Sequence, residues 1–469
     1  MNQIEKNVLE KINFDEMLAF LDELVAVPSL DGTVEEVAVQ KLVSAKLAAF
    51  GFDVDEWQID FDELKAHPSY SAEVERPEGV GVVGSWGHDE GPSLLLNGHT
   101  DVVPAGDLDR WNFDPWRATL DEASGNVYGR GALDMKGGLV CAIFAIKAIM
   151  AAGIQLKGKV LVESVSGEED GGCGTLAAVV RGHQADAAVI MEPTELMIAP
   201  AQAGCFNFKI TIAGKAAHGA MRFEGVDPLE KFILVYQAIL AYERTRNTGV
   251  THPMFREYPA PYPICCGVIQ AGNWASTVAE SLTFEGRYGI EPGEDLVAAR
   301  EAFESVIRNV ASADPWLRDN PPVVEWWGGQ FDPAEIPASH PIVHTAETAF
   351  VDIEGRLPTV RGMTYGADMR LLVNDGDTPT IMFGPGDVRL AHRPDEYVPL
   401  ADLKTCTRTL VLMILRFCGY EEGLQILEVE TAAPIPIETT AVTELKEVEE
   451  VIESLLPEID LDLDLDSLE

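Results

Sequence analysis

The sequence lacks a long uninterrupted apolar run. Its longest apolar stretch, residues 137–153, is broken by Lys147 and is shorter than the roughly 20 residues that a membrane-spanning helix needs. We therefore predict a buried helix there. The first residues of the chain also lack the apolar segment of a secretory signal. Both absences predict that the chain is neither inserted into a membrane nor exported.

Cysteine is scarce and shows no pairing pattern. The chain has seven cysteines, an odd number, and no Cys-x-x-Cys motif. This usage argues against a disulfide framework and against a zinc site built from thiolates. It is typical of a reducing compartment, so we predict a cytoplasmic protein.

Positive charge is also in short supply. The chain carries 34 Lys and Arg against 77 Asp and Glu, which gives a formal net charge of −43. Nucleic acids and anionic membrane surfaces are polyanions, so the charge excludes both as favourable partners. The last part of the chain, residues 431–469, is an acidic tail that is either a solvated segment or a docking segment.

The whole chain, at 469 residues, is long enough for two domains. Strand and helix patterns alternate over residues 1–202 and again over 331–430, which predicts an α/β catalytic domain with a mostly parallel sheet flanked by helices. Between them, residues 203–330 show alternating, antiparallel-looking strands and two long helices. We predict that this segment is an inserted α+β lid or dimerisation domain.

A His-x-Asp motif follows the apolar run at residues 94–98, which predicts a buried strand. At a period of two, His99 and Asp101 point to the same side. An imidazole beside a carboxylate is the usual presentation of a metal-binding histidine, because the carboxylate fixes the ring orientation. A satisfied histidine at a polar strand end explains this stretch equally well.

Further carboxylates follow predicted strands or precede helices: Asp134, Glu168, Glu169 and Glu192. In parallel sheets, ligands bind beyond the carboxyl ends of the strands, so we expect these groups to converge. A histidine with several carboxylates and no cysteine is a nitrogen-and-oxygen ligand set. Zinc fits such a set, as do manganese and cobalt.

Five stretches carry a resemblance to a known family: residues 95–104, 128–138, 166–169, 191–194 and 383–398. In these stretches the chain resembles the zinc-dependent hydrolases that include acetylornithine deacetylase, succinyl-diaminopimelate desuccinylase, aminoacylase and glutamate carboxypeptidase. It resembles the acetylornithine deacetylase branch most. The resemblance covers nearly all of the chain except the acidic tail.

The resemblance implies two zinc ions, or cobalt or manganese in their place, held by five side chains: His99, Asp134, Glu169, Glu192 and His392. Asp134 would bridge the two ions. His99 and Glu192 would complete one site, and Glu169 and His392 the other. The family's peptide bond after the bridging aspartate is cis.

The resemblance also implies the catalytic roles. Glu168 would act as the general base that takes a proton from a metal-bridging water to give the attacking hydroxide, and Asp101 would orient His99. His218 resembles the family's lid histidine, which helps to stabilise the oxyanion, often across a dimer interface. Arg287 and Arg370 are either clamps for a substrate carboxylate or ion-pair partners within the fold.

These assignments predict an enzyme that hydrolyses the amide bond of a small N-acyl amino acid or a related N-acyl compound. We expect a homodimer that associates through the inserted domain. The alternatives on the same scaffold are a metallo-dipeptidase or carboxypeptidase and a deformylase of an N-formyl pyrimidine. A non-catalytic binding protein is the alternative from a different class.

Overall fold

The structure, a computed structural model, describes residues 1–421, so the predicted acidic tail lies outside the described residues. The helices are α1 (Gln3–Leu9), α2 (Phe14–Val25), α3 (Val34–Phe50), α4 (Phe61–Leu64), α5 (Lys136–Ala151), α6 (Cys173–Arg181), α7 (Pro228–Asn247), α8 (Leu296–Ala313), α9 (Pro315–Asp319), α10 (Pro341–Glu354) and α11 (Leu400–Cys418).

The strands of the first half are β1 (Asp53–Gln58), β2 (Val80–Gly87), β3 (Leu94–His99), β4 (Thr119–Asp121), β5 (Asn126–Tyr128), β6 (Lys159–Val165), β7 (Ala187–Ile190) and β8 (Ala201–Gln202). The later strands are β9 (Gly204–Ala213), β10 (Ala217–His218), β11 (Ile264–Ala271), β12 (Thr277–Val278), β13 (Ser281–Ile290), β14 (Val323–Phe331), β15 (Ala334–Glu335), β16 (Thr380–Met382) and β17 (Tyr397–Pro399).

A six-stranded sheet in the order β1-β2-β6-β3-β7-β16 forms the centre of the catalytic part. The pairs β6–β3, β3–β7 and β7–β16 are parallel, whereas β1–β2 and β2–β6 are antiparallel. Helices α5 and α11 pack on β3 and β6, and helices α3 and α6 pack on β2 and β6. The predicted α/β fold is confirmed, with its antiparallel pairs confined to one edge of a mixed sheet.

The apolar run of the sequence forms helix α5, which is buried along nearly its whole length. Its Lys147 reaches the surface, where the ammonium pairs with Glu16 and lies 4.0 Å from the ring centroid of Phe50. Because nearly every side of this helix is apolar and buried, its packing removes apolar surface from water on all sides, and this burial stabilises it. Among residues 1–421, no helix is both long enough and apolar enough to cross a membrane.

A second, four-stranded antiparallel sheet in the order β11-β13-β9-β14 is built from strands that lie between residues 204 and 331. Side chains of β9 alternate between buried and half-buried. The buried ones, such as Phe206 and Phe208, pack with Phe303 of α8 into a separate core. The exact domain boundaries at residues 203 and 330 stay a prediction.

The two connections to this segment run side by side. Strand β8 pairs with β15 in an antiparallel arrangement, with Gln202 opposite Ala334 and Ala201 opposite Glu335. We refer to residues 203–330 as the inserted segment.

Candidate metal centre

The predicted ligands come from five separate places in the chain. His99 ends β3, Glu169 lies in the loop between β6 and α6, and Glu192 follows β7. Asp134 precedes α5, and the peptide bond between Asp134 and Met135 is cis. Because β3, β6, β7 and β16 run parallel, their carboxyl ends open at one edge of the sheet. His392, which follows β16, joins the others at that edge.

Asp134 lies between the two histidines and turns one oxygen to each. Its Oδ1 lies 3.2 Å from Nε2 of His99, and its Oδ2 lies 3.3 Å from Nε2 of His392. Glu192 Oε1 approaches the same nitrogen of His99 at 3.8 Å. Glu169 Oε1 lies 3.1 Å from Nε2 of His392. The cluster therefore has two halves that share Asp134.

Glu168 belongs to the same cluster. Only 7% of its surface is exposed. One potential ligand atom from each of His99, Glu168 and Glu192 lies within 4.8 Å of the others, and the same holds for His99, Asp134 and Glu169. The side chain predicted to be free of metal is therefore close enough to the ligand set for ligation as well as for proton transfer.

The position of Asp101 corrects one detail of the sequence interpretation. Nδ1 of His99 lies 3.0 Å from the backbone carbonyl oxygen of Asp101 and 3.7 Å from its carboxylate. The carboxylate instead accepts a hydrogen bond of 3.0 Å from the backbone N–H of Glu169. Strand β3 ends at His99, so the two-residue alternation does not extend to Asp101. The backbone carbonyl oxygen of Asp101 is therefore its nearest contact with the ring, and its role in orienting His99 stays a prediction.

Burial dominates the ionisation of the three glutamates, whereas the hydrogen bonds and charges of His99 and His392 lower the pKa of Asp134. Burial, followed by the charges of Glu192 and Asp368, raises the pKa of Glu168 well above its ordinary value. Burial and the charge of Asp134 likewise raise the pKa values of Glu169 and Glu192. A crowded set of buried acids disfavours further negative charge unless cations are present.

For the two histidines, the neighbouring carboxylates outweigh burial, so their pKa values are raised as well. Burial alone would lower the pKa of His99, but Asp101 and Asp134 raise it well above the ordinary value. For His392, burial is outweighed by the hydrogen bonds to Asp134 and Glu169, which raise its pKa to about 11. The negative potential of the cluster therefore attracts positive charge, which divalent cations would supply.

Comparison with known proteins gives the family. The profile described as Peptidase family M20/M25/M40 matches residues 95–416. The chain belongs to this family. It is therefore a hydrolase of amide bonds, and the family prediction from the sequence motifs is confirmed.

Curated relatives of this M20 chain have more specific names. An N-formyl-4-amino-5-aminomethyl-2-methylpyrimidine deformylase of Bacillus subtilis is 29% identical over 401 residues, which cover 81% of this chain and 89% of the relative. A probable succinyl-diaminopimelate desuccinylase of Staphylococcus aureus is 25% identical over 354 residues, covering 69% and 84%. The acetylornithine branch stays a prediction.

Solved structures show the same fold. The dipeptidase Dug1p of Saccharomyces cerevisiae superposes with a TM-score of 0.71 at 15% identity, covering 87% of this chain and 98% of that one. A Bacillus subtilis protein described as a dinuclear metal-binding peptidase of family M20 gives a TM-score of 0.53 at 16% identity, covering 86% and 98%.

Glu396 is a site residue to which the sequence interpretation assigned no role. It is fully buried, and its Oε1 accepts hydrogen bonds from the backbone N–H groups of Gly131, Leu133 and Asp134 at 2.8, 3.3 and 3.4 Å. Its Oε2 accepts from Arg130. Glu396 therefore ties the loop that carries His392 to the loop that carries Asp134. Glu396 lies within residues 383–398, one of the stretches that resemble the family, and that position is the sequence signal by which it could have been found.

His218 lies in the inserted segment, in β10, opposite Thr277 of β12. Its ring is exposed, and Nδ1 accepts a hydrogen bond of 3.2 Å from the backbone N–H of Ala220. Within residues 1–421, no hydrogen bond or ion pair joins His218 to the metal-centre cluster. Its proposed role stays a prediction.

The two predicted clamp arginines differ. Arg287 of β13 is half-buried and donates to the carbonyl of Thr364 at 3.4 Å. Arg370 is 2% exposed and donates to the carbonyl of Gly171 at 2.8 Å, in the loop that carries Glu168. The guanidinium of Arg370 is thus engaged by backbone oxygens, and a role for either arginine as a substrate clamp stays a prediction.

Proposed function

We propose that the chain is a dinuclear metal-dependent hydrolase that removes a small acyl group from an N-acylated amine. The observation that carries the proposal is the placement of Asp134, whose two oxygens face His99 and His392 separately. This geometry supports Asp134 as the bridging ligand. Glu192 and Glu169 would then complete the two sites, one beside each histidine.

The donor set fits such a metal pair. Oε1 of Glu192, a residue only 5% exposed, is buried and has no hydrogen-bond partner among the described residues. An unpaired buried carboxylate oxygen is costly, and a cation beside it removes that cost. Nitrogen and oxygen donors without thiolates suit zinc, with cobalt or manganese as alternatives.

Bound divalent cations would polarise the substrate carbonyl and make a water molecule easier to deprotonate. The protein supplies the proton transfer. Glu168 lies within the cluster, and burial raises the pKa of its carboxyl, which makes the carboxylate a better proton acceptor. It would accept the proton of the attacking water and then deliver it to the leaving amine nitrogen.

Adjacent glutamates allow a matched test of these roles. Glu168→Gln should lower kcat at least about a hundredfold while the metal content stays at the wild-type level. Glu169→Gln should instead lower the metal content, measured by atomic emission on dialysed protein. Wild-type turnover in Glu168→Gln would refute the base assignment, and full metal content in Glu169→Gln would refute the ligand assignment.

The acyl group is the finer question. We propose a small N-acyl compound as substrate, with deformylation of an N-formyl aminopyrimidine as a second candidate. The second candidate is favoured by the Bacillus subtilis relative, whose similarity spans most of both chains. An N-acyl amino acid of the acetylornithine type was the first expectation, and a dipeptide remains the alternative on this scaffold.

One panel of substrates separates these candidates. N-formyl-aminomethylpyrimidine, N-acetylornithine, N-succinyl-diaminopimelate and a dipeptide should be assayed side by side with the zinc-loaded protein. We expect the acylated amines to have the highest kcat/KM. A dipeptide turned over faster than every acylated amine would overturn the deacylase proposal in favour of a peptidase.

We also propose a homodimer formed through the inserted segment. Strand β11 lies at the edge of its sheet, and large apolar side chains of the inserted segment are exposed on β11, on α7 and in the turns that follow β10 and β11: Phe223, Leu229, Ile233, Leu234, Val268, Ile269 and Trp274. A patch of this kind on one part of the chain favours self-association, because pairing would bury it. The exposed His218 would then be offered to the partner's metal centre.

The dimer proposal has a direct test. Ile269→Lys places a charge on the exposed edge strand, where the native side chain is 51% exposed. Light scattering should show that the Ile269→Lys variant is a monomer, and an activity assay should show reduced turnover. Leu357→Lys, at a position that is 82% exposed in the catalytic part, should leave the dimer intact. A monomeric wild-type protein would refute the proposal.

We place the enzyme in the cytoplasm, which the seven free cysteines support.

A further inference from the structure

A segment without helix or strand, residues 69–76, lies between α4 and β2 and contacts two parts of the molecule. We call it the bridge segment. One of its contacts is the loop at residues 166–172, which carries Glu168 and Glu169 and which we call the catalytic loop. The other is the inserted segment, where the contacts include the end of β14.

Backbone groups of the bridge segment hold the catalytic loop. The N–H of Val74 donates to Oδ2 of Asp170 at 2.9 Å, and the N–H of Glu73 donates to the carbonyl of Asp170 at 3.2 Å. Arg76 also donates to Oδ2 of Asp170, at 2.8 Å. The guanidinium of Arg76 is anchored in turn to Glu36 of α3. Asp170 follows Glu169 directly, so these bonds set the position of Glu168 and Glu169.

Side chains of the same segment hold the inserted segment. Oε1 of Glu73 accepts hydrogen bonds from Nδ2 of Asn207 at 2.6 Å and from the backbone N–H of Gly329 at 2.8 Å. Oγ of Ser71 accepts from the N–H of Gln330 at 3.2 Å. Asn207 lies in β9 and Gly329 in β14, so the contact reaches two strands of the four-stranded sheet.

The backbone of β14 is shaped for this contact. Its pairing with β9 shifts register between Trp326 and Gln330, and Gly328 within this bulge has a φ of +63°. A Cβ atom at Gly328 would lie 2.3 Å from Oε1 of Glu73. Only glycine permits this backbone conformation and this close approach of the Glu73 carboxylate without strain.

We infer that Glu73 is a positioning residue that couples the placement of the inserted segment to the catalytic loop. Its N–H holds the loop and its carboxylate holds the inserted segment, so one residue makes both contacts. This inference rests on the proposed function of Glu168 and Glu169. Displacing a catalytic group by about 1 Å costs up to about a hundredfold in rate, so a small shift of this loop is measurable.

Substitutions at Glu73 separate positioning from general stability. Glu73→Ala should lower kcat by between about tenfold and a hundredfold, with metal content and Tm unchanged, because Arg76 still anchors the bridge segment. Glu73→Gln should restore most of the loss, since its amide oxygen accepts the same two hydrogen bonds. Glu75→Ala is the matched control, because that side chain is 88% exposed and pairs with Lys65.

Wild-type kcat in Glu73→Ala, or no recovery in Glu73→Gln, would overturn the inference. The same change can be made from the other side of the contact. Gly328→Ala should reproduce the defect by displacing the carboxylate. Gly249→Ala is its control, because Gly249 has a φ of +74° but no atom within 4 Å of an added Cβ. Equal kcat in the two glycine variants would also contradict the coupling.

Hydrogen exchange gives a readout that does not depend on catalysis. In the full-length metal-loaded protein, Glu73→Ala should speed amide exchange in both residues 166–172 and 326–331, whereas Glu75→Ala should not. If the wild-type protein hydrolyses none of the tested amides, the proposed function fails and the exchange result still decides the coupling. Unchanged exchange in Glu73→Ala would refute it.

Discussion

Replacing Glu163 by glutamine should make the protein more stable at neutral pH and leave it unchanged in acid. Glu163 lies in β6, is fully buried, and accepts a hydrogen bond of 2.9 Å from Asn97 through Oε1. Its Oε2 has no hydrogen-bond partner among the described residues. Burial, only partly offset by the Asn97 hydrogen bond, raises the pKa of this carboxyl from 4.5 to about 8.

The sign follows from proton binding in the two states. Below about pH 4.5, Glu163 is protonated in both the folded and the unfolded chain, so the residue costs nothing through ionisation. Between about 4.5 and 8, the unfolded chain loses the proton while the folded chain keeps it. Unfolding then releases a proton, and the free energy of unfolding falls as the pH rises.

The magnitude follows from the same pKa values. At ~1.4 kcal/mol per pKa unit, the gain from Glu163→Gln should be about 1 kcal/mol at pH 5, about 3 kcal/mol at pH 7 and about 4 kcal/mol at pH 8. Glutamine keeps the oxygen that accepts from Asn97, so the hydrogen bond survives the change.

Urea denaturation of both proteins at these pH values measures the difference, with equal m-values as the condition for comparing midpoints. Glu56→Gln, an exposed glutamate in β1 of the same sheet, provides the control and should show no comparable pH dependence. A difference between Glu163→Gln and wild type that stays constant from pH 5 to pH 8 would refute the assignment of a protonated Glu163.

Three further substitutions test other contacts. Glu396→Gln should weaken metal binding by about tenfold, measured by competition with a chelator, because the Asp134 loop loses a charged acceptor; unchanged affinity would contradict this. Gly138→Ala should lower the free energy of unfolding by about 1–3 kcal/mol, because its Cβ would lie 2.3 Å from the carbonyl oxygen of Met191. This clash outweighs the roughly 1 kcal/mol by which alanine is favoured over glycine in a helix. A stabilised variant would show that helix propensity dominates. Arg370→Lys should lower kcat equally for anionic and neutral substrates, whereas a loss confined to anionic substrates would support the clamp assignment.

Two of the proposed ligands follow a local signal, whereas His392 was named only through the family resemblance. His99 is the last residue of apolar strand β3 and Glu192 follows apolar strand β7, and the parallel order of these strands brings their ends together. The buried helix α5 was predictable for a similar reason, since its residues are apolar on every side. In both cases the information lies within about ten residues of the position concerned.

The remaining features depend on residues distant in sequence. The end of β3 at His99 removes the alternation that was expected to aim Asp101 at the imidazole ring. The enclosure of Arg370 results from a contact with Gly171, 199 positions away. Glu73 meets Gly329 across 256 positions. Patterns along the chain carry no signal for contacts of this range.

The paired connections β8 and β15 have a consequence for the architecture. Residues that face each other across an antiparallel pair lie about 5 Å apart, so the chain leaves the catalytic sheet and returns to it at nearly one point. A short turn that joins Gln202 to Ala334 would close the gap without stretching the backbone. The smaller protein would keep β7 beside β16 and all five proposed ligand positions, which makes removal of the whole inserted segment a practicable excision.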